Sequence, residues 1–178
     1  MKQLPIIASV VREDQLPKLE KSNVKTVILM TGNILNIKGI IEQLHRAEKT
    51  VYVHIEMVEG IGRDAAAIEY LGRVLHADGI VSTKSNMIHA AHQIKLQTIQ
   101  RVFAIDTGAF ETAVKMINSS KPGKVELMPG LMPRVIRDMK QKIRQPLIVG
   151  GLIKSLDEIE TALQSGADYV SIGDECFW

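Results

Sequence analysis

Cysteine is almost missing from this chain: Cys176 is the only one among 178 residues. An internal disulfide is thereby excluded, and a reducing, cytoplasmic setting is expected. Aromatic residues make up only 4%, which argues against a surface that stacks many bases. The formal net charge of +2 is too small to announce nucleic-acid binding by itself. No apolar run approaches the roughly 18–20 residues that span a bilayer, so no membrane association is expected. The opening Met1-Lys2-Gln3-Leu4-Pro5 leads straight into a strand-like segment and does not resemble a signal peptide. Complete nucleotide fingerprints are missing as well. Gly60-Ile61-Gly62 supplies only the first part of a dinucleotide motif, and there is no P-loop or Ser/His/Asp arrangement. The five histidines form no metal-like cluster; His89 and His92 share a helix face without a carboxylate partner. Neither a metal nor a cofactor is expected.

What is present is an ordinary globular composition, 46% hydrophobic and 24% charged. The length is right for one domain, residues 1–178, with a real core. Short apolar runs alternate with amphipathic segments along the whole chain. Strands are predicted at Pro5–Val10, Thr26–Met30, Thr50–Met57, Gly79–Thr83, Arg101–Asp106 and Lys124–Met128, with two more at Pro146–Ile153 and Ala167–Gly173. Helices fall between them; Ile37, Ile40, Ile41 and Leu44 make one apolar stripe, and Asp64 is placed to cap Ala65–Leu75. Eight strands with seven helices and no hairpins read as α/β with parallel strands, a compact (β/α)8 TIM barrel. Its last helix is truncated or missing, since Phe177-Trp178 follow the eighth strand closely. Another subunit covering that wall would make the protein a homo-oligomer.

Function in such a barrel sits at the C-terminal ends of the strands. The two glycine turns that end the last strands, at Gly150-Gly151 and Ser171-Ile172-Gly173, suit a phosphate, because no Cβ blocks approach to the backbone N–H groups. Strand alternation sets Val51, Val53 and Ile55 toward the helices and leaves His54 and Glu56 inside. By the same reasoning Lys84, with Ser82, Asp106 and Glu126 face the mouth. A ring of Glu56, Lys84, Asp106 and Glu126 would bind a polyol through its hydroxyls, with the lysine attracting a phosphate. It would equally support proton transfer in a small phosphate-handling enzyme, an isomerase or aldol-type lyase using Lys84 with Glu56 or Asp106. Basic residues concentrate on the sixth helix, where Arg134, Arg137 and Lys140 recur three apart. Such a run is usually a solvated face, but it is also the best contiguous cationic surface for RNA phosphates, with Arg101 and Lys84 as extensions.

Taken together, several blocks resemble the glycerol uptake operon antiterminator regulatory proteins. These are His54-Ile55-Glu56-Met57 running to Gly60-Ile61 and Asp64, Gly79 through Lys84, Ile99 through Asp106, Glu126-Leu127-Met128-Pro129-Gly130 with Pro133, and Pro146 through Ile153. The resemblance spans about Pro5 to Trp178. It implies a cytoplasmic, non-enzymatic regulator that senses glycerol 3-phosphate and acts on leader mRNA of glycerol-utilisation operons, letting transcription pass a terminator. Carried over, Gly150, Gly151, Ser171 and Gly173 hold the phosphate, while Glu56, Lys84, Asp106 and Glu126 surround the glycerol moiety. One departure stands out. Asp174 and Glu175 follow Gly173 where relatives carry a small hydroxyl-rich turn, and carboxylates beside a dianion repel it unless they point away.

Overall fold

In the computed structural model, which describes residues 4–178, eight parallel strands close into a barrel in chain order. Residues Met1–Gln3, part of the stretch read as lacking a signal peptide, lie outside the described residues. The strands are β1 (Ile6–Val10), β2 (Thr26–Leu29), β3 (Thr50–His54), β4 (Gly79–Ser82), β5 (Gln97–Phe103), β6 (Lys124–Met128), β7 (Leu147–Gly150) and β8 (Tyr169–Ile172). The helices between them are α1 (Leu16–Lys21), α2 (Ile37–Arg46), α3 (Ala65–Glu69), α4 (Ser85–Gln93), α5 (Thr107–Ser120), α6 (Pro133–Lys142) and α7 (Leu156–Gln164).

Local chemistry explains most boundaries. Ile37, Ile40, Ile41 and Leu44 are all buried, so α2 docks by the stripe read from its sequence. Pro133 opens α6 at a position that has no use for an N–H. Ser155 and Glu158 form a reciprocal capping box at α7. Asp64 caps α3 by accepting from the Ala67 amide at 2.8 Å, but regular α-helix stops at Glu69. The expected continuation to Leu75 is instead a π-helical turn over Tyr70–Val74, which still buries Leu71.

Alternation along each strand divides the apolar residues into separate cores. Outward residues of β1–β4 pack on α1–α4, and those of β5–β8 pack on α5–α7. Inward residues Ile7, Ile28, Tyr52, Val81, Ile99 and Ile148 fill the barrel itself. No eighth helix follows β8 among the described residues, only a 3-10 turn at Glu175–Phe177. Trp178 occupies that stretch of wall. It packs on both outer cores, and its indole N–H donates to the Ile172 carbonyl at 3.0 Å. The half-buried Phe177 and Trp178 thus lie against part of the wall from which a homo-oligomer was expected.

Two expectations need correction. β5 was expected at Arg101–Asp106 but begins at Gln97 and stops at Phe103. Its polar residues hid it: Gln100 is fully buried, yet it is satisfied by Ser85 and by the Ser120 hydroxyl. In β4, Val81 points into the barrel while Ile80 packs under the helices, so Ser82 takes the outer alternation rather than the inner one, and Lys84 lies two residues beyond the strand as the N-cap residue of α4.

Candidate effector site at the barrel mouth

Strand registers stack the interior into layers of four side chains from alternate strands. Ile7, Tyr52, Ile99 and Ile148 form an apolar layer. Above it come Ile28, Val81, Glu126 and Ser171, then Ser9, His54, Arg101 and Gly150. Met30, Thr83, Met128 and Gly173 lie at the rim. The interior thus changes from hydrocarbon to polar groups on the way to the C-terminal mouth.

The centre of the polar region is a buried ion pair. Arg101 faces Glu126 across the β5–β6 register, and its Nε donates to Oε2 at 2.7 Å. The Ser171 hydroxyl donates to the other carboxylate oxygen at 2.6 Å. Glu126 is 0% exposed and Arg101 6%, so their attraction is little screened and neither can be removed cheaply. Glu126, expected in an open ring around a polyol, thus lies one layer deeper and is already engaged. Arg101, expected on an RNA-facing surface, is inside the barrel.

His54 lies in the same layer as Arg101 and is 2% exposed. Its Nδ1 is 3.2 Å from Glu56 Oε2 without forming a hydrogen bond, and neither ring nitrogen has a hydrogen-bond partner among the described residues. Burial, aided by the Arg101 charge, pushes its pKa down to about 3, so the ring is neutral near pH 7. Glu56 sits above, accepting from the Ser82 hydroxyl and, at 3.4 Å, from the Thr83 amide. Ser82 also accepts from the Lys84 amide at 3.0 Å, just before α4, and the Lys84 side chain is exposed. Asp106 is three residues beyond β5 and caps α5 through the Ala109 amide at 2.7 Å. There it lines a cleft of about 630 Å³ between α5 and α6, outside the barrel, with Phe110, Val114 and Met132. Of the three carboxylates among the ring candidates, only Glu56 is at the mouth with its carboxylate partly exposed.

The glycine turns divide into different roles. A Cβ on Gly150 would lie 2.1 Å from the Ser171 hydroxyl, so this glycine makes room for the bond to Glu126. Gly151 and Leu152 both have positive φ, 79° and 66°, turning the chain sharply after β7. The Lys154 and Ser155 amides are taken by the Glu158 carboxylate at 2.6 and 3.1 Å. The amides of Gly151, Leu152 and Ile153 donate to no acceptor among the described residues. Gly173 continues β8 next to this turn, and the Gln15 side chain holds its carbonyl at 3.0 Å. Asp174 and Glu175 point elsewhere. The Asp174 carboxylate accepts from the Cys176 amide, which holds its pKa below the usual range, and Glu175 lies 3.5 Å from Arg12 and 3.7 Å from Lys18. Their charge is directed to the β1–α1 side and partly balanced there.

On α6, Arg137 is exposed, and Arg134 is exposed while paired with Asp138 at 3.0 Å. Lys140 differs, since its ammonium bonds Asp168, whose carboxylate also accepts the Leu147 amide. It braces the base of β7 and β8.

A closed parallel barrel with a polar, glycine-turned mouth defines a (β/α)8 barrel protein with its candidate site at the C-terminal face of the strands. Comparison with known proteins narrows this. The chain belongs to the glycerol-3-phosphate responsive antiterminator family, which it matches over residues 6–178. It is 33% identical to an uncharacterized protein of Escherichia coli K12, YgcP, covering 100% of this chain and 93% of that one. A glycerol uptake operon antiterminator regulatory protein from Listeria monocytogenes superposes with a TM-score of 0.94 at 30% identity, covering 100% of this chain and 96% of that one. An antiterminator-related protein from Thermotoga maritima gives 0.87 at 27% identity, with 98% of each chain covered. Orotidine 5'-phosphate decarboxylase from Pyrococcus horikoshii, at 15% identity, 93% and 88% coverage and a TM-score of 0.67, shares the fold alone.

Proposed function

We propose that this chain is a glycerol 3-phosphate-responsive antiterminator whose effector binds at the barrel mouth and whose target is leader mRNA of glycerol-utilisation operons. The observation that carries the effector site is the run of free amides at Gly151, Leu152 and Ile153 beside Gly173, over the polar layers. Backbone N–H groups in such a turn suit a phosphate dianion. Gly150 and Ser171 support this cradle from below by holding Glu126 in place. Glu56 is the ring residue best positioned to accept from a glycerol hydroxyl. The enzymatic alternative loses ground because Asp106, one of its two carboxylate candidates, caps α5 and lines the cleft outside the barrel. Family membership points the same way, toward a regulator.

For RNA, Arg134 and Arg137 on α6 supply the exposed cations, and Lys140 is mainly a structural brace. Isothermal titration with glycerol 3-phosphate tests the effector reading, and no heat and no rise in melting temperature at millimolar ligand would refute it. Filter binding to a leader transcript tests the other half. Binding should weaken with salt and with Arg134→Glu plus Arg137→Glu, each lost contact reducing the salt slope by about 1. An unchanged slope would remove α6 as the docking face.

A further inference from the structure

The strongest unexplained feature is His54. It is a histidine 2% exposed, in the layer just below the rim, with neither ring nitrogen hydrogen-bonded among the described residues and Nδ1 3.2 Å from the Glu56 carboxylate. Buried polar atoms are rarely left so, and each one costs stability unless a partner arrives. Its neighbour in the layer, Arg101, spends Nε on Glu126 and Nη2 on the Met30 sulfur, while Nη1 makes no hydrogen bond among the described residues. On the β7 side the same layer has no side chain at all, because its residue is Gly150. The mouth therefore has a polar floor with unspent hydrogen-bonding capacity, set beside the free amides of the β7 turn.

We propose that His54 and Arg101 form the floor of the effector site, with the His54 imidazole hydrogen-bonding a hydroxyl of a polyol phosphate. This inference rests on the effector reading above and assigns the part of the ligand that each group recognises. A neutral imidazole donates from one nitrogen and accepts at the other, which suits a hydroxyl, itself both donor and acceptor. A phosphate placed directly on Arg101 would also approach Glu126, whose negative charge sits 2.7 Å from the guanidinium. The phosphate therefore belongs over the amides of Gly151 to Ile153 and the polyol over His54. His54 is a specificity-determining residue: it separates a phosphorylated polyol from bare phosphate.

Titration calorimetry on wild type, His54→Phe and His54→Gln with glycerol 3-phosphate, glycerol 2-phosphate, glycerol and inorganic phosphate tests this. Thermal melts confirm that each variant is folded, and ring-15N histidine NMR follows His54 directly. His54→Phe should weaken glycerol 3-phosphate about tenfold, the loss of one buried hydrogen bond, and His54→Gln should restore part of it. Inorganic phosphate should bind all three proteins alike, and glycerol 3-phosphate should shift the wild-type His54 ring nitrogens. If wild type binds glycerol 3-phosphate but a folded His54→Phe binds it equally well, with His54 unshifted, the inference fails and the effector reading stands. If glycerol 3-phosphate does not bind while glycerol 2-phosphate or glycerol shifts His54, the effector reading fails and the polyol floor stands. If none of the probes binds or moves the ring, both fall. Should His54→Phe not fold, the NMR shifts of the wild-type ring decide alone.

Discussion

Replacing Gly150 by alanine puts a methyl group where the Ser171 hydroxyl now lies. The Cβ would be 2.1 Å from that oxygen, 3.1 Å from the Ser171 carbonyl and 3.3 Å from the Met128 methyl. Methionine yields easily, but the hydroxyl must leave, and its 2.6 Å bond to Glu126 leaves with it. Losing a hydrogen bond to a buried carboxylate costs about 1.5–3 kcal/mol, and overpacking adds about 1–3 kcal/mol. A gain of about 0.4–1 kcal/mol comes from the stiffer unfolded chain. The net for Gly150→Ala is a loss of about 3 kcal/mol, or about 6–12 °C in melting temperature for a domain of this size. Ser171→Ala alone should cost about 2 kcal/mol, since it removes the same bond without the clash. Once the hydroxyl is gone the alanine methyl has room, so the double variant should be little worse than Ser171→Ala. The cycle then shows a coupling of about 3 kcal/mol, measurable by urea denaturation of the four proteins. Additivity within about 0.5 kcal/mol would refute the reasoning and show that the glycine is not there for Ser171.

His54 should make the protein acid-sensitive. Its folded pKa of about 3 lies below the ordinary 6.5, so between these values the unfolded chain binds a proton that the folded chain does not. Stability from this group is complete above the unfolded pKa and is lost as pH falls toward the folded one. From pH 7 to pH 5 wild type should lose about 2 kcal/mol more than His54→Gln in urea titrations, and parallel losses would contradict the assignment. Arg101→Met should cost about 3–5 kcal/mol by stranding the Glu126 charge, with much of it recovered in Arg101→Met plus Glu126→Gln. Chemical denaturation checks this; no recovery in the double variant would mean that packing rather than charge dominates. Trp178→Ala should cost about 3–5 kcal/mol by opening the wall between the two outer cores, read as a fall in melting temperature. A shift of less than about 2 °C would show the wall to be closed by other residues.

The barrel could be read in the sequence because its strongest signals repeat. Short β-branched runs alternate with amphipathic segments such as Ile37–Leu44, and each unit reinforces the same topology. The site was harder, because a one-residue change of parity moves a side chain from the mouth to the helices. Val81 and Ile80 are both apolar, so composition alone could not tell which faced inward, and Ser82 was carried with the wrong one. Asp106 was misplaced because Gln97, Thr98 and Gln100 disguise a strand, satisfying their polar groups through partners distant in sequence, such as Ser120. Once the strand begins at Gln97, Arg101 shares the inward course with Ile99, and its pairing with Glu126 follows from register. Two charges of opposite sign on neighbouring strands were the available signal. The role of Gly150 in accommodating Ser171 depended on a three-dimensional approach that no local motif encodes.

The division of the outer core at the middle of the chain has a consequence for how the protein is made. Residues of β1–β4 with their helices already bury one another, and β5–β8 with theirs do the same. β1, however, pairs with β8, the last of the eight to leave the ribosome. Until then the first half would persist with two open strand edges, competent to collapse but not to close. The same long-range pairing makes folding slow relative to helical domains of this length. In this barrel Trp178, which contacts both halves, acts as a latch that can engage only after β8 is in place.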